Sequence, residues 1–278
     1  MVNRPRGRCG LPDGRSSPRF GDLTYREIRS RAEDGWIAVV TTGCTEQQGP
    51  HLSVDFDTWF AEAVALAASE RALAEHGVGS LVLPPMPFGP TPEHRNYGSG
   101  YVDLPTELHD ALVRATLDSL ADGGFERMLV WRGCGGHDLG DTVERFNGEN
   151  RHEARAFLPS WPYGEIWARH ADPSVPAGHA DSFTTSMAMY LRPDSVRPAL
   201  IPAPETEPVD WDTPDLDFSR YSSSGVVGDP THASAELGER LWHDVVESVA
   251  LSLKKVADTP VPADTENGRS RAKGGPDT

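Results

Sequence analysis

The sequence predicts an α/β fold with a mostly parallel sheet covered by helices on both faces. Three observations predict it. Short apolar runs alternate with helix-periodic segments through most of the chain, the pattern of consecutive β-α units. The clearest run, Trp36-Ile37-Ala38-Val39-Val40, is apolar at every position, as a strand buried on both faces requires. Polar or glycine-rich loops follow the strands, at the edge where open α/β sheets bind ligands.

The elements follow in order. Thr24 is a candidate cap for a helix over residues 25–32. A strand over 37–41 comes next, then a loop and a helix over 57–75. That helix places Phe60, Val64, Leu66 and Ala67 on one side and has Gly77 as its C-terminal stop. A strand over 80–83 is broken by Pro84-Pro85, and 87–101 is a loop heavy in Pro and Gly. A helix over 106–121 carries Leu108, Leu112, Ala115 and Leu120, and a third strand spans 127–131. Residues 141–150 read as helical. Residues 156–167, with Trp161, Tyr163 and Trp167, are expected as a strand or loop lining a cavity. Helices over 181–191 and 233–256 flank a long Pro- and Asp-rich loop, 198–221. One domain over 20–257 accounts for all of this. Residues 1–19 and 258–278 lack the apolar surface that would offset ordering entropy, and are expected to be disordered tails.

Composition narrows the function. A chain of 278 residues can bury one substantial core. The formal charge of -16 argues against nucleic acid and anionic membrane surfaces as partners. No run of about eighteen apolar residues marks a membrane span. The N-terminus has basic residues but no apolar stretch of the secretory kind, so cytoplasm is the expected compartment. The cysteines, Cys9, Cys44 and Cys134, do not make a disulfide framework.

Several segments concentrate reactive side chains. After the first strand comes Gly43-Cys44-Thr45-Glu46-Gln47-Gln48-Gly49-Pro50-His51-Leu52, with Asp55 and Asp57 shortly beyond. Acids, amides and a histidine at that density suit a metal, although the same loop also reads as a polar turn in which Asp57 caps the next helix. After the third strand, Gly133-Cys134-Gly135-Gly136-His137 sets a thiol among glycines that let a ligand approach the backbone. Pro92-Glu93-His94 pairs an acid with a histidine in the long loop. Gly178-His179-Ala180-Asp181-Ser182 precedes a helix, with Asp181 or Ser182 as its cap, and Gly225 to Pro230 is a tight turn.

Taken in order, these segments resemble the creatininase (creatinine amidohydrolase) family over roughly residues 20–255. The family's first motif reads roughly Gly-Ser-Thr-Glu-Gln-His-Gly-Pro-His-Leu, followed by Thr-Asp. Its Glu-His after a Pro-rich strand end is similar to Glu93-His94, and its Asn-Gly-His-Gly-Gly-Asn to the segment from Arg132 to His137. Its Gly-His-Ala-Gly-Glu, then Thr-Ser, is similar to Gly178 to Ser182, then Thr185-Ser186. The resemblance implies a three-layer α/β/α fold, often hexameric, and a two-metal site of zinc or manganese that hydrolyses a C–N bond in a small or cyclic amide. It implies metal binding at Glu46 and Asp57 and a catalytic role for His179.

The chain departs from that pattern at ligand positions. Gln48 and Cys134 stand where the family has histidines, and Ser182 where it has a glutamate. Three readings follow. In the first, a rebuilt centre holds one divalent ion, zinc or manganese, through Glu46, Asp57 and Cys134, helped by His137 or Asp181. In the second, Cys134 is a nucleophile without metal, with glycine amides as an oxyanion hole and His179 or His137 as base. In the third, the fold binds a ligand or partner without catalysis. The first is the expectation carried forward, with a small amide or lactam as substrate. His51, Glu93, His94, Asp181 and Trp161 are the expected substrate contacts, and the assembly is expected to be a homo-oligomer, with the hexamer implied by the resemblance.

Overall fold

The structure, a computed structural model, describes residues 17–260 except 150, 151, 153, 173, 176, 177, 206, 212 and 214. Most of the two expected tails, with Cys9, therefore lies outside the described residues. Residues 17–19 belong to the body of the fold, since the amide of Val82 donates to the Pro18 carbonyl.

Four strands form one parallel sheet in the order β2-β1-β3-β4: β1 (Ile37–Thr42), β2 (Ser80–Val82), β3 (Arg127–Arg132) and β4 (Arg155–Phe157). Every residue of β1 is buried. Its side chains alternate between two cores. Ile37 and Val39 face one, with Phe60, Val64, Leu129 and Trp131; Ala38 and Val40 face the other, with Leu117, Met128, Val130 and Phe146. The unbroken apolar run thus serves two layers through the two-residue strand period.

Helix α1 (Tyr25–Glu33) starts at Thr24, which makes a capping box with Glu27. Helix α2 (Phe56–His76) ends at Gly77 with φ 67°, a left-handed stop that favours glycine. Helices α3 (Thr106–Asp122) and α4 (Gly140–Glu149) contribute to the second core. The long α7 (Ala235–Asp258) packs on α2 in the first, and helix α6 (Ser182–Leu191) packs on α7. The result is three layers.

One expectation needs correction. Residues 156–167 are not a single strand or loop: β4 (Arg155–Phe157) is followed by helix α5 (Tyr163–His170). Ile166 and Trp167 are buried from the helix. The three aromatic residues gave a cavity-lining signal that does not distinguish helix from strand.

The connections set the site. From β1 the chain runs through α2 to β2 on one side; from β3 it runs through α4 to β4 on the other. The carboxyl ends of β1 and β3 are therefore a topological switch point, where the loops part and leave a crevice.

Candidate metal centre and active site

Cys44 and Cys134 occupy equivalent places two residues beyond the end of the β1–β3 ladder, whose last aligned pair is Thr42 and Arg132. Between them packs the first turn of α2. A side chain at Gly133 would put its Cβ 2.3 Å from the Asp57 carbonyl oxygen, so only glycine admits the turn this close. Asp57 lies inside that turn rather than capping it; Asp55 holds the cap position without a capping side-chain bond.

This packing assembles a buried cluster. The Cys44 thiol lies 3.1 Å from Glu46 Oε2 and 3.3 Å from Asp57 Oδ2. Cys134 Sγ lies 3.9 Å from the same Glu46 oxygen. Glu46 is 2 % exposed, Asp57 8 % and Cys44 0 %. No Lys or Arg forms an ion pair with either acid among the described residues; the titratable rings nearest to Glu46 are His94 and His179, at 3.4 and 3.6 Å.

Burial dominates the electrostatics. It lifts Glu46 from 4.5 to about 7, against the hydrogen bonds that favour its ionised form. Burial and then the charge of Glu46 push Asp57 well up. Cys44 rises chiefly through burial. At Cys134 the hydrogen bond with Cys44 pulls downward, but burial and the surrounding carboxylates outweigh it and hold the thiol at about 12. Burial keeps His179, at about 3, and His94 neutral. Four groups that would each be anionic as metal ligands are thus crowded together without a cation, the arrangement that a divalent ion complements.

Gln48 shapes what remains. Its side-chain amide donates to Asp57 Oδ2 at 2.9 Å and Glu46 Oε1 at 3.3 Å. An N–H group thereby fills one side of the acid pair. On the other side, Cys44, Cys134 and His137 bring their donor atoms within 4.8 Å of one another. His137 is 2 % exposed, and beyond an interaction with the Pro90 backbone its ring nitrogens have no partner. Burial, His109 and Arg132 hold it neutral, at about 3, which leaves a lone pair for coordination.

His179 precedes α6. Its Nε2 lies 2.7 Å from the Gln47 carbonyl, and that acceptor requires an N–H there. The lone pair is then on Nδ1, facing Glu46. The acids and His179 border a cavity of about 780 Å³, together with Glu93, Cys134, Trp161, Tyr163 and Trp167. Trp161 packs closely on the glycine loop, since a Cβ at Gly135 would lie 2.2 Å from its ring. Its Nε1 and the Tyr163 hydroxyl are buried against each other, and neither has a partner elsewhere.

The expected substrate contacts divide. Trp161, Glu93 and Asp181 border the cavity. Asp181, however, caps α6: it accepts from the amides of Gly178 and Thr184 at 2.7 and 3.1 Å. His51 and His94 stand behind the wall. His51 Nε2 pairs with Thr185 Oγ1 at 2.8 Å, and His94 Nδ1 with Gln47 Nε2 at 3.0 Å. Sequence reasoning had not placed Cys44 among the ligands or Phe218 beside the site. Cys44 could have been found from the equal spacing of the two cysteines after their strands. Phe218 packs on His94 and His179 at ring separations of 5.1 and 5.4 Å, from a loop whose sequence carries no signal for that contact.

The creatinine amidohydrolase family model matches residues 21–253. The chain belongs to the creatininase family. A mycofactocin precursor peptide peptidase from Mycolicibacterium smegmatis is 29 % identical over 239 residues, covering 85 % of this chain and 90 % of the relative. A creatinine amidohydrolase from Pseudomonas putida is 24 % identical, over 84 % of this chain and 95 % of the relative. A solved creatininase superposes with a TM-score of 0.74 at 23 % identity, covering 88 % of this chain and all of the other. Solved creatininases of this fold include a manganese form and a zinc–zinc form. No helix among the described residues is long and apolar enough to cross a membrane.

Proposed function

We propose that this protein hydrolyses a C–N bond in a small amide or lactam, using one divalent ion, zinc or manganese, at the tips of β1 and β3. The observation that carries the reading is the buried cluster in which Glu46, Asp57 and Cys134 form the floor of the cavity with Cys44 behind them, and to which no Lys or Arg is paired among the described residues. Glu46, Asp57 and Cys134 would hold the ion, with Cys44 and His137 on its thiol side. One ion rather than two follows from Gln48, whose amide fills the opposite side of the carboxylates. Thiolate ligands favour zinc of the two metals. When bound, the ion would supply Lewis acidity toward the amide carbonyl and the nucleophile.

The chain's own groups do the rest. Trp161 and Tyr163 line the cavity, with the indole N–H and the phenol hydroxyl interacting with each other, and would give the amide a flat apolar wall. His179, neutral and fixed by Gln47, can take up a proton at Nδ1 and return it to the leaving nitrogen. A metal-free nucleophilic Cys134 is the weaker reading, because carboxylates around a buried thiol oppose the thiolate. The relatives named for a precursor peptide make a short peptide the second substrate to try, since its bond is the same amide. The cytoplasm suits this site, because it keeps Cys44 and Cys134 reduced.

Metal content of the untagged full-length chain, measured by mass spectrometry beside a Glu46→Ala, Asp57→Ala variant, tests the proposal. About one zinc or manganese ion per chain, absent from the variant, is the expected result. A chain that stays metal-free after incubation with both ions would overturn the metal mechanism and leave a non-catalytic binding role in its place.

A further inference from the structure

The cavity has a second property that hydrolysis of an amide does not require. Its wall is aromatic and acidic, and no Lys or Arg lines it among the described residues. Trp161, Trp167, Trp211 and Phe218 supply ring faces and edges. Glu93 and Asp138 supply carboxylates at the wall, apart from Glu46 and Asp57 on the floor and from Asp181, whose oxygens are taken up in capping α6. Arg132 sits over the Trp161 ring, 5.5 Å from its centroid, but donates to the His137 carbonyl instead of lining the cavity.

Charge complementarity then decides which substrates enter. A divalent ion on the floor would offset Glu46 and Asp57, and Arg132 already interacts with Asp138, which leaves Glu93 as the main uncompensated carboxylate of the wall. An anionic group would meet that carboxylate with no guanidinium or ammonium to receive it, a like-charge placement in a partly desolvated space. A cationic nitrogen would meet the carboxylate and aromatic faces together. The attraction of a cation to an aromatic ring strengthens as the pair loses water. Trp161 already stacks with a guanidinium on the protein side. Trp211, 52 % exposed, packs edge-on against Phe218 at 5.5 Å and leaves a large apolar ring open to solvent where the cavity meets the surface.

We infer that the cavity selects amides carrying a cationic nitrogen beside a planar or apolar group, held between the aromatic wall and Glu93, and that it rejects substrates recognised through a free carboxylate. This names the substrate class of the site proposed above and rests on that reading for turnover, though not for binding. A peptide end bearing its carboxylate is disfavoured on the same ground.

The test is a pair of probes of opposite charge and similar shape, benzyltrimethylammonium and benzenesulfonate, titrated into the full-length chain by calorimetry with and without zinc. The cation is expected to bind about tenfold or more tightly than the anion, and to weaken as salt is raised. Trp211→Ala and Glu93→Gln should each weaken the cation about three- to tenfold, and Glu93→Gln should narrow the preference over the anion. Circular dichroism of each variant separates lost binding from lost fold. Equal affinities, a tighter anion, or no binding of the cation would overturn the inference. Cation binding by a chain that takes up no metal would instead leave this inference standing while the hydrolytic reading falls.

Discussion

Gln48 and Ser182 both stand where the family motif carries a metal-binding side chain, yet the fold uses the two departures differently. Gln48 points into the acid cluster and donates to Glu46 and Asp57. Ser182 turns away from it. Its hydroxyl donates to the Asp229 carbonyl at 2.6 Å and accepts from the His232 amide at 3.1 Å, tying the start of α6 to the turn before α7. On the proposed reading, one departure stays within the chemistry and would limit its metal capacity. The other has become part of the scaffold. What separates them is the partner that each side chain meets, an uncompensated carboxylate pair in one case and unpaired backbone in the other.

The comparison can be broken most sharply at Cys134, the departure that keeps a metal-binding group. Cys134→Ser should lower turnover by more than about a hundredfold, beyond the usual cost of losing an outer-shell partner, and should lower bound metal with it. Unchanged activity and metal content would remove Cys134 from the site. Next comes Gln48→His, which should raise the metal held per chain from about one to about two, because an imidazole lone pair replaces an N–H donor. A count that stays at one would show that the amide is not what limits the site.

A smaller effect appears in the pH dependence of stability. The folded Glu46 carboxyl titrates at about 7 against an ordinary 4.5, so the folded state holds its proton more tightly than the unfolded state does. Its contribution to the stability of metal-free protein should be fully present below about pH 4.5 and lost as pH rises toward about 7. A shift of that size corresponds to something on the order of 3 kcal/mol. Urea unfolding across that range reads the slope, which Glu46→Gln and added zinc should both flatten. A Gln variant with the parental slope would assign it to another group. The smallest effect belongs to the scaffold side. Ser182→Ala should cost about 1–2 kcal/mol of stability by unpairing Asp229 and His232, with metal content unchanged. Loss of metal in that variant would bring Ser182 back into the site.

Much of this was legible in the residues. The uniform burial of β1 was readable from its unbroken apolar run, and the stop of α2 from Gly77, because both follow from local backbone and burial rules. Glu46, Asp57 and Cys134 were grouped through the order of the family's motifs, which the resemblance supplied and strand-end spacing alone did not. The start of α5 was not legible, because Trp161, Tyr163 and Trp167 fit the wall of a cavity from either a strand or a helix. Cys44 was the ligand candidate left out. Its place at a strand tip like that of Cys134 was readable, but its hydrogen bonds to Glu46 and Asp57 depend on how the loop and the first turn of α2 fold back over it.

By itself the sequence determined the layer architecture, the loops that carry chemistry and the family to which they belong, since periodicity, turn residues and motif order are properties of short segments. The tertiary structure alone decided which of those reactive side chains share a space. It buried His51 against Thr185, made Asp181 a helix cap, and set two thiols, two acids and Gln48 around one point. Pairing of nonadjacent strands places those atoms, and only contact between them shifts their charges and fixes their partners.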